Sequence, residues 1–266
     1  MLDDCFKITN SIRKSIVKMT HYSRSSHIGS CLSIVDILYV LYFKILKIKP
    51  ESPKWNERDK FILSKAHGSA ALYSTLAERG FFSKELLDKF YIDGGILPGH
   101  LDIKAVPGIE ISGGSLGHGL SIGVGMAISN KKDNNPGQIY VLIGDGECEE
   151  GSIWEAGMLA STLKLNNLTL IIDFNKLQGF GRTNEIINQD NLCQRWNSLD
   201  WNSYEINGND ITEIEKTLNI SSNMPKAIIA HTIKGKGISF MENKLEWHYK
   251  SPNDEQLILA LKELGE

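Results

Sequence analysis

Two apolar strands with one helix between them occupy residues 138–174, and this unit constrains the chain more than any other feature. QIYVLI (138–143) and LTLIIDF (168–174) are continuous apolar runs rich in β-branched residues, the pattern of strands covered on both faces. SIWEAGMLASTLKL (152–165) has helical spacing, with Ser152 and Glu155 in capping-box positions. Strand, helix and strand in this order imply a parallel pair joined by a right-handed crossover. Parallel sheets bind ligands beyond the carboxyl ends of their strands. Asp145 lies just past the first strand and Asn175 directly follows the second, so the two side chains are expected to converge. Both offer hard oxygen, and Mg²⁺ takes one or two such protein ligands beside phosphate oxygens and water. Gly144 and Gly146 flank Asp145 and leave bare backbone for a phosphate. The helix start at Ser152 adds positive potential. Alone, Gly-Asp-Gly is a common turn. Its place at a strand end, with an Asn 30 positions later, favours a metal-bridged diphosphate site.

The rest of the chain extends the same alternation. Ile8, Ile12, Ile16 and Met19 form a helical stripe over 4–22. SIVDILYVLYFKILKI (33–48) reads as a helix buried nearly all round, with Ser33 as its N-cap. Asp36, Lys44 and Lys47 make it too charged, and its length too short, to span a bilayer. It belongs in a core or a subunit interface. Residues 60–64 predict a strand, 69–79 a helix, and 226–233 a further strand. The glycine-rich stretch 93–119 predicts a long functional loop, and 120–131 a small-residue helix packed close to something. KGKG (234–237) could cradle phosphate but reads better as a turn after the last strand. The expectation is an α/β fold with a mostly parallel sheet and helices on both faces, in a single domain over 1–266. Lys and Arg number 29 against 32 Asp and Glu, so no basic face is expected for nucleic acid or an anionic membrane. Asp3, Asp4 and Lys7 interrupt any signal peptide, and Cys5, Cys31, Cys148 and Cys193 have no pairing spacing. A reducing cytoplasm is the expected setting.

The chain resembles transketolase. The Gly-Asp-Gly and Asn pair matches the thiamine diphosphate motif. GDGECEEGSIWEAGMLASTLKL, LSKAHGSAALY (63–73), LPGHLD (97–102), GGSLGHGLSIGVGMA (113–127) and WHYKSPND (247–254) look like transketolase segments in the family's order. The resemblance runs from about residue 10 to 255 and implies the diphosphate-binding domain, as in the N-terminal subunit of two-chain transketolases. It implies Mg²⁺ ligands at Asp145, Asn175 and the backbone carbonyl of Leu177. It implies that His67, Gly114, Ser115, Leu116, Gly146, Asn175 and His248 contact thiamine diphosphate. His27 and His100 match histidines facing the reactive ring and substrate, and Glu150 and Glu155 match acidic residues between subunits, Glu150 with a catalytic part. Leu101, Asp102 and Tyr249 depart from the family's usual Pro, Glu and Gly, and His118 stands where Gln is common. His21, His231 and Cys148 are expected to be structural.

The implied reaction transfers a two-carbon ketol unit from a ketose, in phosphorylated form or not, to an aldose. The implied partners are a C-terminal subunit carrying the pyrimidine-binding and C-terminal domains, a second copy within an α₂β₂ assembly, and a sugar substrate. The residues after 178 leave no room for the domain that carries the activating glutamate, so activity is expected only with the partner. The helices at 33–48 and 120–131 are the expected docking surfaces. Three other readings compete. The α-subunit of a 2-oxo-acid dehydrogenase also carries the Gly-Asp-Gly and Asn pair. Gly113-Gly114-Ser115-Leu116-Gly117 satisfies the G-x-S-x-G elbow of a serine hydrolase. A non-catalytic binding subunit is the third.

Overall fold

The computed structural model describes residues 2–266. Helix α1 (Leu2–Ser23) leads into two short helices, α2 (Ile28–Leu32) and α3 (Val35–Val40), and one wider helical turn, Leu41–Ile45. Then come β1 (Lys60–Leu63), α4 (Ser69–Arg79), α5 (His118–Lys132), β2 (Ile139–Gly144), α6 (Gly151–Thr162) and β3 (Leu168–Phe174). The last part holds α7 (Thr183–Ile186), α8 (Leu192–Ser198), β4 (Asn202–Asn207), α9 (Ile211–Leu218), β5 (Lys226–His231) and α10 (Asp254–Glu263). The sheet runs β1-β2-β3-β5-β4, every neighbouring pair parallel.

The apolar runs of the strands split between two cores, because successive side chains point to opposite faces. Phe61, Leu63, Leu142, Ile171 and Ile228 join Ile12, Ile37, Leu72 and Ile214 on the face of α1–α4 and α9. Ile62, Val141, Ile143, Leu170, Ile172 and Ile229 join Leu120, Val124, Ile153 and Trp196 under α5, α6 and α8. Helices therefore cover both faces, as expected. The expected packing of the small-residue helix also has a partner. A Cβ on Gly119 would meet Ser64 Cβ at 2.4 Å, and one on Gly123 would meet Val141 at 2.6 Å. These glycines let α5 press onto its own sheet.

Three local expectations change. Ser33 is the C-cap of α2 and not the N-cap of the next helix, a place taken by Ile34. The Ser33 hydroxyl donates to the Ser30 carbonyl at 3.1 Å and to Asp173 Oδ2 at 2.8 Å, and the helix breaks there. The apolar segment around it, residues 28–42, is buried between α1, α4 and α9, so the expected docking surface at 33–48 is part of the domain's own core. The Ser152–Glu155 capping box is absent too. α6 starts one residue earlier, and Ser152 Oγ donates to the carbonyl of Gly117 at 2.9 Å. Finally, β4 went unpredicted. It is an edge strand with only Ile206 buried, so its sequence lacks the apolar run of a central strand.

Candidate active site

The carboxyl ends of β1, β2 and β3 converge on one cavity of about 420 Å³, within the range of small-molecule sites. Its floor is a buried polar network. Asp173, fully buried near the end of β3, accepts from Lys65 Nζ at 2.6 Å, Ser33 Oγ at 2.8 Å and Asn175 Nδ2 at 3.0 Å, and also from Thr232 Oγ1. Burial alone would raise its carboxyl. The Lys65 ammonium and these donors outweigh burial and hold it below the usual carboxylate range. Beside it, Glu147 accepts from Ser64 Oγ and from the backbone N–H of Gly117 at 2.9 Å and Gly144 at 3.2 Å. This carboxylate ties the β1 end, the loop before α5 and the β2 end together.

Above the floor sit the predicted ligands. Asp145 is buried, with Oδ1 accepting from Gly146 N–H and Oδ2 from Lys176 N–H and Thr183 Oγ1, each at 2.8 Å. Burial pushes its carboxyl up and Asp173 adds to that, while the Thr183 hydrogen bond opposes. Asn175 is held by its amide nitrogen on Asp173, which turns Oδ1 toward the Leu177 N–H at 3.1 Å. The Leu177 carbonyl accepts from Lys234 Nζ at 2.7 Å and keeps a second lone pair. Among the described residues no group of three or more His, Cys, Asp or Glu is arranged for a metal. One carboxylate, one amide oxygen and one main-chain carbonyl suit a hard cation that shares its shell with phosphate oxygens. Gly144 also fits a ligand. A Cβ there would find no protein atom closer than 3.9 Å, so packing alone does not require it to be bare, whereas Gly114 is already required by its positive φ of 155°. The residues present therefore fit Mg²⁺ and a diphosphate.

Four imidazoles gather over this set. The His27 ring lies 5.1 Å from that of His67, 5.0 Å from His248 and 6.1 Å from His100. His27 has a left-handed backbone, φ 72°, a strain that persists where surrounding structure fixes it. Its N–H donates to the His248 carbonyl at 2.8 Å, and Ser26 Oγ lies 2.9 Å from its Nδ1. Burial first, then neighbouring positive groups, lowers His27 to about 4 and His248 to about 3, and His67 falls well below its usual value. These three rings are neutral at pH 7. Lys234 is itself lowered to about 8 by burial.

The predicted residues divide. His27, His67, His100, Gly114, Leu116, Asp145, Gly146, Glu150, Asn175, Leu177 and His248 all line the cavity. Ser115 does not; it is exposed and makes no hydrogen bond among the described residues. No strand precedes it, so the nucleophile elbow is absent and the hydrolase reading loses its residue. Glu155 is exposed on α6, and His118 is exposed with Nδ1 on the Leu116 carbonyl. His21 contacts the Pro252 carbonyl, and Cys148 is buried with its thiol pushed up by that burial. Leu101 and Asp102 shape the loop away from the cavity, whereas Tyr249 lines it. The sequence reading misses Lys65, and it meets Lys234 only within KGKG, where the turn is preferred to a phosphate cradle. Each follows a strand end, the same signal that singled out Asp145.

Known proteins share this arrangement. Residues 6–265 match the family described as transketolase, thiamine diphosphate binding domain. One subunit of the apulose-4-phosphate transketolase of Phocaeicola vulgatus is 43% identical over 96% of this chain and 91% of its own length. The 6-deoxy-6-sulfo-D-fructose transketolase subunit SqwG of a Clostridium species is 41% identical, over 96% of this chain and 94% of its own. The crystal structure of transketolase from Campylobacter jejuni superposes with a TM-score of 0.92 at 33% identity, covering 98% of this chain but 42% of that one. The parallel sheet, the cavity at its strand ends and these matches agree, and the chain belongs to the transketolase family of transferases, as its thiamine diphosphate-binding domain.

Proposed function

We propose that this chain is the N-terminal subunit of a two-chain, Mg²⁺-dependent transketolase, a single domain over 1–266 that transfers a two-carbon ketol unit between sugars. The observation that carries this reading is the convergence of Asp145, Asn175 and four imidazoles on one cavity. Asp145, Asn175 and the Leu177 carbonyl would hold Mg²⁺. His67, His248 and Gly146 would hold the diphosphate, and Gly114 and Leu116 would contact the cofactor. When bound, thiamine diphosphate supplies the carbon nucleophile and the electron sink for cleavage beside a carbonyl. The protein's part is positioning and proton movement. Neutral His27 would donate a hydrogen bond to the substrate oxygen where charge develops. His100, exposed at the mouth, reaches the same oxygen from the solvent side.

The open side of the cavity supports a partner. Phe180 is 89% exposed, and Tyr249 and Ile186 stand beside it at the mouth. A C-terminal subunit bringing a pyrimidine-binding domain would cover them and supply the activating glutamate. Met158 and Leu159 on α6, Leu163 just past its end and Ile122 on α5 are further exposed apolar residues. A second copy seated there would give α₂β₂ and bring Glu150 and Glu155 toward their counterparts. The names of the relatives support a sugar or sulfosugar substrate. Four free cysteines are consistent with the cytoplasm. The experiment is reconstitution: the chain and a co-encoded C-terminal subunit, purified separately and then mixed with Mg²⁺ and thiamine diphosphate, are assayed for ketol transfer to an aldose acceptor. Activity only on mixing is expected. Full activity of the chain alone, with no second protein detectable by mass spectrometry, rejects the reading.

A further inference from the structure

Two lysines lie beneath the four imidazoles, and they are used differently. Lys65 lines the cavity and is paired with Asp173. Lys234 is fully buried and makes no ion pair among the described residues. Its Nζ donates to the Leu177 carbonyl at 2.7 Å and lies 2.8 Å from Nδ1 of His248. A lysine ammonium has three donors and no acceptor. Beside such a group the imidazole nitrogen must accept, so the single proton of a neutral ring goes to the other nitrogen. That other nitrogen, Nε2, faces Gly179, 3.4 Å from where a Cβ on that residue would stand. Gly179 and His248 both line the cavity.

We infer that Lys234 is a positioning residue that locks His248 as its Nε2–H tautomer, so that the cavity receives a neutral N–H donor in a fixed direction. Lys234 itself does not line the cavity; its contacts among the lining residues are the His248 imidazole and the Leu177 carbonyl. The neighbouring ring shows why an ammonium matters. Ser26 Oγ lies 2.9 Å from Nδ1 of His27, but a hydroxyl both donates and accepts, so that contact leaves the His27 tautomer free. The contact of Lys234 with the Leu177 carbonyl adds a second consequence: one ammonium sets the orientation of His248 and of the carbonyl opposite it. A hydrogen bond on the far nitrogen commonly fixes the working nitrogen of a functional imidazole. What the donor serves, an anionic oxygen of a diphosphate, rests on the thiamine diphosphate reading. The tautomer does not.

The test is long-range ¹H–¹⁵N NMR of the histidine rings in the ¹⁵N-labelled full chain at neutral pH. The His248 signals are assigned by their loss in His248→Gln. A protonated Nε2 with a bare Nδ1 is expected. An Nδ1–H ring, or one protonated on both nitrogens, overturns the inference whatever the enzyme's activity proves to be. Lys234→Met should convert the His248 pattern into a tautomer mixture, and Lys234→Arg, which keeps a donor, should restore it. An unchanged His248 pattern in a folded Lys234→Met chain removes Lys234 from the role. If that variant fails to fold, the wild-type ring and Lys234→Arg still decide. In the assembled complex, Lys234→Met is expected to weaken Mg²⁺-dependent thiamine diphosphate binding roughly 10–100-fold, the usual cost of losing such a supporting group. A confirmed tautomer in a complex with no affinity for the cofactor would sink the functional reading and leave the positioning role intact.

Discussion

The floor and the rim of the cavity are built on opposite terms. On the floor, the carboxylates of Asp173 and Glu147, the Lys65 ammonium and the hydroxyls of Ser33, Ser64 and Thr232 are all buried and all partnered within the chain. At the rim, His100 and Tyr249 are exposed, Phe180 has no ring partner among the described residues, and the Glu150 carboxylate makes no hydrogen bond there. The floor is complete when the chain folds, because a buried charge with neither a hydrogen-bond nor an ion-pair partner costs several kcal/mol and folding selects against it. The rim is left open, because its groups remain solvated. A chain that finishes the floor and leaves the rim bare has a binding half-site and needs something to cover it.

The contrast breaks first at Asp145, which stands between the two. Asp145→Ala is expected to abolish Mg²⁺-dependent binding of thiamine diphosphate, because the diphosphate then lacks its metal bridge. Calorimetric titration with and without Mg²⁺ measures this, and wild-type affinity in the variant would reject Asp145 as a ligand. Next comes the floor itself. Asp173→Ala strands the Lys65 ammonium and should cost roughly 3–5 kcal/mol of stability. Urea denaturation of the chain reads it; a loss below about 1 kcal/mol, the scale of a surface pair, would mean the network is not structural.

At the rim the effect should spare folding and fall on turnover. His100→Ala is expected to slow turnover of the assembled enzyme about 10²–10³-fold, the usual effect of losing one donor to a developing charge. Cofactor affinity and thermal stability should stay near wild type, and a collapse of either would put His100 on the floor. The smallest effect is the pH dependence of stability. His27 and His248 are lowered from 6.5 to about 4 and about 3, so the unfolded chain takes up their protons more readily. Stability from these rings is complete above about pH 6.5 and is lost as pH falls toward about 4 and then 3. Melting temperatures across that window should fall less steeply in His27→Gln than in wild type. Equal slopes would show that the ring is solvated in the folded state.

Much of the site is legible along the chain. Central strands carry continuous apolar runs, and residues just past their ends point at the ligand side, so Asp145 and Asn175 can be placed from sequence. The same rule at the ends of β1 and β5 reaches Lys65 and Lys234. Those two stay hidden, because lysines in LSKAHG and TIKGKG carry no chemical signature until burial removes them from water. The edge strand β4 hides for the opposite reason: half-exposed, it shows no period that separates it from a loop. The expected Ser33 and Ser152 caps fail because a serine hydroxyl goes to the best acceptor in three dimensions. For Ser33 that is a buried carboxylate 140 residues away; for Ser152 it is the Gly117 carbonyl.

Two segments mark where sequence stops deciding. Both 33–48 and 120–131 look fit to meet another subunit. The first is the centre of its own core, while the second presses Gly119 and Gly123 onto the sheet and turns Ile122 outward. Hydrophobicity is a property of a residue, readable anywhere, and it determines the strands, the parallel order and the end of the sheet where ligands bind. Which apolar face is covered, which hydroxyl meets which carboxylate, and which lysine lies beneath which imidazole depend on contacts between distant residues. Those contacts exist only after packing, and so the tertiary structure alone decides them.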